Sequence, residues 1–273
     1  MKSNMIKAVI ACVTFSFLPI SIAQAGDYDD LIKAAVNNPA RAETNSSRDA
    51  ARKPGEVIKF MGVKPGMTVL DMVSNGGFYA EILAGVVGNE GRVIAHTFAR
   101  NGMNPDFAYA KTIRDSEHMV NVVPIYADFD ALDIKENTLD RIFIVQNYHD
   151  LYFDREGYGV DDVQSVLVML RKGLKPGGIM AVIDHDANKG APSSTGTTLH
   201  RISSDIVKSD MVKAGFELDG NLDILDVVRL VSLILNDDGT DYELIVSDLN
   251  EDGDVNIMDV VLLVMIRMPL NHT

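Results

Sequence analysis

Between residues 48 and 216, short apolar runs alternate with apolar positions at helical spacing. Met67 to Met72 is an apolar run of strand length. Gly76-Gly77 interrupts it, and Tyr79 to Val87 continues as an amphipathic helix. Arg92 to Ala95, Val120 to Tyr126 and Leu139 to Gln146 are three more strand-like runs. Val160 to Leu174 returns to helical spacing, and Leu174-Lys175-Pro176-Gly177-Gly178 introduces a fifth strand over Ile179 to Asp184. Alternation of this kind predicts βαβ units, a parallel sheet and an α/β fold.

After Glu217 the pattern changes. Gly220 to Val231 recurs as Gly253 to Val264, 33 residues later. Such a repeat signals a duplicated structural unit. Residues 216–273 also hold thirteen acids against two bases, Arg229 and Arg267. A boundary is expected near residues 216–218. At the other end, Lys2 and Lys7 precede an apolar run from Ala8 to Ile20, and Ala23-Gln24-Ala25 is a small-x-small cleavage site. This reads as a signal peptide over 1–25 rather than a membrane span, for which the run is short. Val9-Ile10-Ala11-Cys12 loosely fits a lipid-attachment box, but the apolar run continues past it. The expected organisation is a leader over 1–25, an α/β domain over 26–216 and a module over 217–268, exported to the periplasm or beyond.

Composition narrows the partners. The net charge of −14 on 273 residues disfavours nucleic acid and anionic membrane. No tryptophan is present, which disfavours a carbohydrate platform, and the single cysteine, Cys12, excludes an internal disulfide or a thiolate zinc cluster.

The first candidate site is Asp71-Met72-Val73-Ser74-Asn75-Gly76-Gly77-Phe78-Tyr79, a strand, turn and helix entry. That geometry brings backbone N–H groups and a helix N-terminus to an adenosine-type ligand. With Lys64-Pro65-Gly66 ahead of the first strand and Lys175-Pro176-Gly177-Gly178 ahead of the fifth, it resembles the class I S-adenosylmethionine-dependent methyltransferases. Arg48-Asp49, Arg52-Lys53-Pro54, Asn147-Tyr148-His149-Asp150-Leu151-Tyr152 and Leu199-His200-Arg201-Ile202 narrow the resemblance to a group of exported methyltransferase-like proteins, over about residues 27–216. The resemblance implies a Rossmann-like sheet, methyl transfer and S-adenosylmethionine as cofactor. It implies cofactor contacts at Asp71, Gly76, Gly77 and Asp128, the last in the adenine position. Val73, Asn75 and Gly77 occupy the three glycine positions of the family turn. Val73 is expected to resist positive φ and to crowd the cofactor, and Ile94-Ala95-His96-Thr97 lacks the ribose-binding acid. Weak cofactor binding is therefore expected.

Three histidines lie just past strand ends or in the loop beyond: His149, His185 and His200. Clefts of open α/β sheets form there. His149, Asp150 and His185 are the candidates for acid–base work. With His200 they would also offer metal ligands, but no two stand at i,i+4, so hydrogen bonding to loop backbone is the preferred alternative.

The second candidate site is a twelve-residue loop from Asp248 to Asp259. Asp248, Asn250, Asp252, Asn256 and Asp259 present oxygens at EF-hand spacing, Gly253 takes the sharp turn, and Asp254 offers its carbonyl. A helix is expected from Asp259, with Val260, Leu263 and Val264 on one face. The loop and its degenerate first copy resemble type I dockerin modules. This implies calcium, a small α-helical module with EF-hand-type loops, and a cohesin-type partner in an extracellular, polysaccharide-related complex. Ile224-Leu225 and Ile257-Met258 would be its recognition pairs. Two readings follow: an exported methyltransferase with a calcium-dependent attachment module, acting on a small-molecule or macromolecular acceptor, or a non-catalytic Rossmann domain whose work is that attachment. The fifth strand is expected as a sheet edge, covered by the acidic module or by a strand over Tyr242 to Ser247.

Overall fold

All five expected strands form one sheet. They are Thr68–Met72 (β1), Arg92–Thr97 (β2), Val122–Tyr126 (β3), Leu139–Val145 (β4) and Leu174–Asp184 (β5). The computed structural model describes residues 25–102, 113, 116–154, 158–218 and 262–267. Within these, Glu217–Leu218 (β6) and Leu262–Arg267 (β7) complete the sheet in the order β3-β2-β1-β4-β5-β7-β6. β1 pairs in parallel with both β2 and β4, setting Leu70 beside Ile94 and Ile142. A central strand is covered on both faces, which is why its apolar residues run consecutively instead of alternating. β3 is an edge and tolerates Pro124, whose missing N–H a central strand would need. β5 begins five residues earlier than its apolar core suggests: Leu174 pairs with Leu139, and an irregularity before Ile179 absorbs the Pro-Gly-Gly sequence.

The sheet switches direction between β1 and β4, so the chain leaves those two strands toward opposite sides and opens a crevice at their C-terminal ends. One face is covered by the helices Ala25–Val36, Pro54–Phe60 and Phe78–Val87, burying Ile32, Val57, Ile58, Ile82, Leu83 and Val86. Close approach there depends on Gly85: a Cβ added to it would stand 3.0 Å from that of Ala35. A buried carboxylate fastens the segment between. Glu81 accepts from Ala42 N at 3.1 Å and from Asn45 Nδ2 at 2.8 Å, with Arg41 Nε 3.6 Å away. The other face carries Val163–Gly173 and Ser204–Lys213. Their Leu167, Leu170, Val207 and Met211 join the apolar core with Leu70, Ile142 and Met180. The side chain of Asp162 caps the first of these helices by accepting from Ser165 N.

The far edge departs from expectation. β7 runs antiparallel to β5 from Asp184↔Leu262 to Ile179↔Arg267, and β6 pairs with β7. The helix expected from Asp259 is therefore overturned over Leu262–Arg267. A helix there would leave a row of β5 backbone groups unpaired, whereas an unbroken apolar and β-branched run can satisfy them. The expected division at 216–218 does not divide the sheet, since two of its strands come from the span assigned to the module. The proposed calcium ligands Asp248, Asn250, Asp252, Asp254 and Asp259, the segment 242–247, the first repeat copy from Gly220 to Val231, and the leader over 1–24 lie outside the described residues. Among the described residues no helix is long and apolar enough to cross a membrane.

Candidate active site

Past β1 the backbone enters the left-handed region repeatedly, with φ of 52° at Val73, 44° at Asn75 and 76° at Gly77. Val73 thus takes the conformation its β-branch was expected to refuse, at a cost of about 1–2 kcal/mol. Side chains of β2 hold it there. His96 Nδ1 accepts from Val73 N at 3.2 Å, His96 O from Ser74 N at 2.7 Å, and Thr97 Oγ1 from Asn75 N at 3.1 Å. His96 is fully buried and its Nε2 lies 2.9 Å from Ala127 O, so Nε2 carries the proton and donates. Burial lowers its pKa, which keeps the ring neutral. The end of β2, which lacks an acid, is thus committed to bracing the turn. The Val73 side chain packs into the core near Met72, Phe98 and Phe129 and also lines the crevice.

That crevice is a cavity of about 200 Å³, bounded by Arg48, Arg52, Asp71, the 72–76 turn, Phe78, Tyr79 and Val145 to Asn147. Three buried oxygen atoms on its wall have no hydrogen-bond partner: Asp71 Oδ2, Ser74 Oγ and Asn75 Oδ1. Burial pushes the Asp71 carboxyl up to about 7, while the Ser74 hydroxyl and Ala80 N–H pull the other way. The Ser74 hydroxyl is near enough to soften the shift without an aligned hydrogen bond. Arg48 and Arg52 place their guanidinium groups 5.0 and 4.9 Å from the Phe78 ring centre. Arg52 donates to Gln146 Oε1 at 2.9 Å, and Gln146 is itself held at a φ of 59°. Strained residues gather at the ends of β1 and β4, a pattern typical of binding sites. The cavity wall combines unpaired acceptors and a carboxylate with two guanidinium groups. It complements a zwitterion.

Of the expected cofactor residues, Asp71 and Gly76 line this cavity, and Gly77 caps the helix Phe78–Val87. Asp128 follows β3 outside the cavity wall, with its buried Oδ1 unpartnered. Arg48, Arg52 and Gln146 had no assigned role in the sequence. Arg48 and Arg52 were visible only as a motif, and Gln146 only as the last residue of a strand.

A second cluster adjoins the cavity beyond Asn147. His149 is buried, and its Nδ1 lies 2.9 Å from Asp184 Oδ1. Asp184 also accepts from His149 N at 2.9 Å and His185 N at 2.8 Å. Burial pushes His149 down, but the hydrogen-bonded Asp184 and nearby Asp150 outweigh it and the net direction is up. His149 Nε2 stands 3.4 Å from Asp150 Oδ1 and 3.3 Å from His200 Nδ1. His185 belongs to the same neighbourhood, its pKa lowered by burial and by Arg201, His149 and Arg52 against the pull of Asp184. The structure therefore brings together His149, Asp150 and His200 over a chain separation of about fifty residues.

A seven-stranded sheet of this order, its seventh strand antiparallel, with a ligand cavity at the β1 turn, defines a class I S-adenosylmethionine-dependent methyltransferase domain. The profile of the ubiE/COQ5 methyltransferase family matches residues 49–194, and the chain belongs to that family. It is 29% identical over 131 residues to a demethylmenaquinone methyltransferase of Staphylococcus aureus, covering 47% of each. It is 30% identical over 132 residues to a 2-phytyl-1,4-naphtoquinone methyltransferase of Synechococcus elongatus, covering 46% of this chain and 49% of that one. The chain thus spans about half the length of these curated relatives. A SAM dependent methyltransferase from Aquifex aeolicus superposes with a TM-score of 0.50 at 26% identity, over 70% of this chain and 89% of its own. The [4+2]-cyclase SpnF shares the fold at a TM-score of 0.52 and 15% identity, over 90% of this chain and 94% of its own.

Proposed function

We propose that this domain binds S-adenosylmethionine in the β1 cavity and transfers its methyl group to an aromatic, hydroxylated acceptor of the quinol type. The observation that carries the reading is the set of buried, unpartnered oxygens in a cavity that Arg48 and Arg52 also line. Buried polar groups are normally paired, so acceptors left open on a cavity wall mark the place of a ligand's donors. Asp71 and Asn75 would accept from the ammonium of the methionine end, and Arg48 and Arg52 would pair with its carboxylate. Asp128 would accept from the adenine amino group. When bound, the cofactor supplies a sulfonium-activated methyl group. The acceptor side is formed by Asn147, His149, Asp150 and His185, which would hold and orient an acceptor hydroxyl. Phe153, stacked on His200 and beside Tyr158, offers a surface for a ring. The names of the staphylococcal and cyanobacterial relatives favour that acceptor class.

Calorimetry with S-adenosylhomocysteine tests the reading. Micromolar affinity, about −8 kcal/mol, is expected, with Arg52→Ala weakening it at least tenfold. No heat at millimolar ligand would sink it and favour the non-catalytic alternative.

We further infer export after Ala25 and calcium binding at Asp248, Asn250, Asp252, Asp254 and Asp259, with a cohesin-type partner. These rest on the sequence of the leader and of the loop. Intact-mass measurement of exported protein checks the first. Hydrogen exchange over 248–268 with and without chelator checks the second, and equal protection would refute it.

A further inference from the structure

We propose that His149 Nε2, His200 Nδ1 and a carboxylate oxygen of Asp150 bind a single divalent transition-metal ion, with Asp184 orienting His149 from behind. These donor atoms lie within 4.8 Å of one another. In a tetrahedral site with bonds of about 2.0–2.1 Å, neighbouring donors stand about 3.3–3.4 Å apart. His149 Nε2 is 3.3 Å from His200 Nδ1 and 3.4 Å from Asp150 Oδ1.

The protonation pattern supports the same assignment. Asp184 accepts a hydrogen bond from His149 Nδ1–H, so in the neutral ring the Nε2 lone pair is turned toward the other two groups. A lone pair facing a carboxylate oxygen is repulsive unless a cation or a proton lies between them. A carboxylate behind a ligating imidazole is the arrangement that fixes tautomer and ring orientation at metal sites. Asp150 is placed similarly: Asn147 Nδ2 donates to its Oδ2 at 3.1 Å, leaving Oδ1 for the ion.

His200 is held at some cost. It has a φ of 53°, and its ring stacks on Phe153 at 5.1 Å with 29° between planes. The preceding helix, Thr195–Leu199, sits against the His149 turn so closely that a Cβ on Gly196 would lie 2.7 Å from His149 O. Two imidazoles and one carboxylate suit Zn²⁺, Co²⁺, Fe²⁺ or Mn²⁺ better than calcium or magnesium, which prefer all-oxygen shells. With three protein ligands a coordination position stays open. On the methyl-transfer reading, on which this role rests but the binding does not, an ion there would take the acceptor's oxygen and ease its deprotonation.

The competing account is a proton, either shared between His149 and Asp150 or carried on His200 Nδ1 and donated to His149 Nε2. A Co²⁺ titration of the chelator-treated full chain separates the two, run in excess calcium so that the acidic 248–259 sequence is occupied. The expected result is saturation at one Co²⁺ per chain with the visible absorption of four-coordinate cobalt. Asp184→Asn should weaken binding about ten- to hundredfold, and His200→Ala, at an exposed position, should abolish the band. Absence of the band in wild type, or affinity unchanged in both His200→Ala and Asp150→Asn, would overturn the site. S-adenosylhomocysteine calorimetry on the same wild-type sample reads the cofactor cavity separately. Cobalt binding without it would sink methyl transfer and leave the metal site standing, and the reverse outcome would sink the metal site alone.

Discussion

Asp71→Asn separates the stability of this domain from its function. The Asp71 carboxyl is buried, has an unpartnered oxygen and titrates near 7 instead of 3.8. Because the folded value lies above the unfolded one, folding favours the protonated form. The full stability of the protonated form is present below the unfolded pKa and is lost as pH rises through the folded one. Linkage over that gap gives a destabilisation of about 2 kcal/mol near pH 5 and about 4 kcal/mol near pH 8. Asparagine keeps the shape and cannot ionise. Asp71→Asn should therefore raise the melting temperature by about 8–16 °C near pH 8 and by only about half that near pH 5, at about 2–4 °C per kcal/mol for a domain of this size. The same variant should lose a charge-assisted contact worth about 1.5–3 kcal/mol, and with it about ten- to hundredfold in affinity for S-adenosylhomocysteine. Thermal melts at the two pH values with calorimetry on both proteins are the assay. A melting difference that does not change with pH would refute the buried, uncompensated carboxylate. An unchanged ligand affinity would refute its assignment to the cofactor.

Three further outcomes follow from packing. Val73→Gly relieves about 1–2 kcal/mol of backbone strain but forfeits about 1.5–3 kcal/mol of side-chain burial. It should leave the domain slightly less stable while tightening S-adenosylhomocysteine several-fold; weaker binding would mean that the valine shapes the cavity productively. Glu81→Ala removes the acceptor of Ala42 N and Asn45 Nδ2, while Arg41 keeps Asp49 at 2.6 Å, and should cost about 1–3 kcal/mol in denaturant unfolding; a loss under about 0.5 kcal/mol would contradict that network. Gly196→Ala must push its helix off the His149 carbonyl, so it should lower Co²⁺ affinity and stability together, the latter by about 1–3 kcal/mol in the same unfolding assay.

The five parallel strands and the helices between them were legible because apolar runs of strand length alternate with apolar positions at helical spacing, with Pro65-Gly66, Gly91 and Gly177-Gly178 as punctuation ahead of three of the runs. What escaped was set by contacts distant in sequence. Arg52 reaches Gln146 across 94 residues, and His200 reaches His149 across 51. No local spacing encodes either. The i,i+4 criterion has no purchase on His149 and His200, whose approach comes from one strand end and one helix C-terminus. Val73 was misjudged for a related reason. Its preference against positive φ is genuine, but three hydrogen bonds from the neighbouring strand to the turn and a place in the core outweigh a local penalty of about 1–2 kcal/mol. Asp71 stands one residue before the end of β1 instead of closing it, and its raised pKa depends on the burial that only the fold supplies.

The sheet's far edge bears on how the acidic repeat relates to the rest of the chain. Sequence similarity to a dockerin suggests a module that follows a finished domain, removable without harm. Yet β7 lies between β5 and β6, and Leu262–Arg267 follows the second repeat loop directly in sequence. The repeat therefore follows β6 in sequence and its second copy ends inside β7, so it is not appended after the last strand. Truncation at residue 216 would strip β5 of its antiparallel partner and leave a row of unpaired backbone groups along an apolar strand, which promotes association between chains. Any ligand that fixes the loop ending at Asp259 acts three residues before β7 begins. Such binding would favour β7 docking by mass action and thereby link an occupied calcium loop to the stability of the sheet. The truncated chain should aggregate where the full chain does not, a difference that size-exclusion chromatography resolves; a soluble, cofactor-binding 26–216 fragment would show that the sheet is complete with five strands.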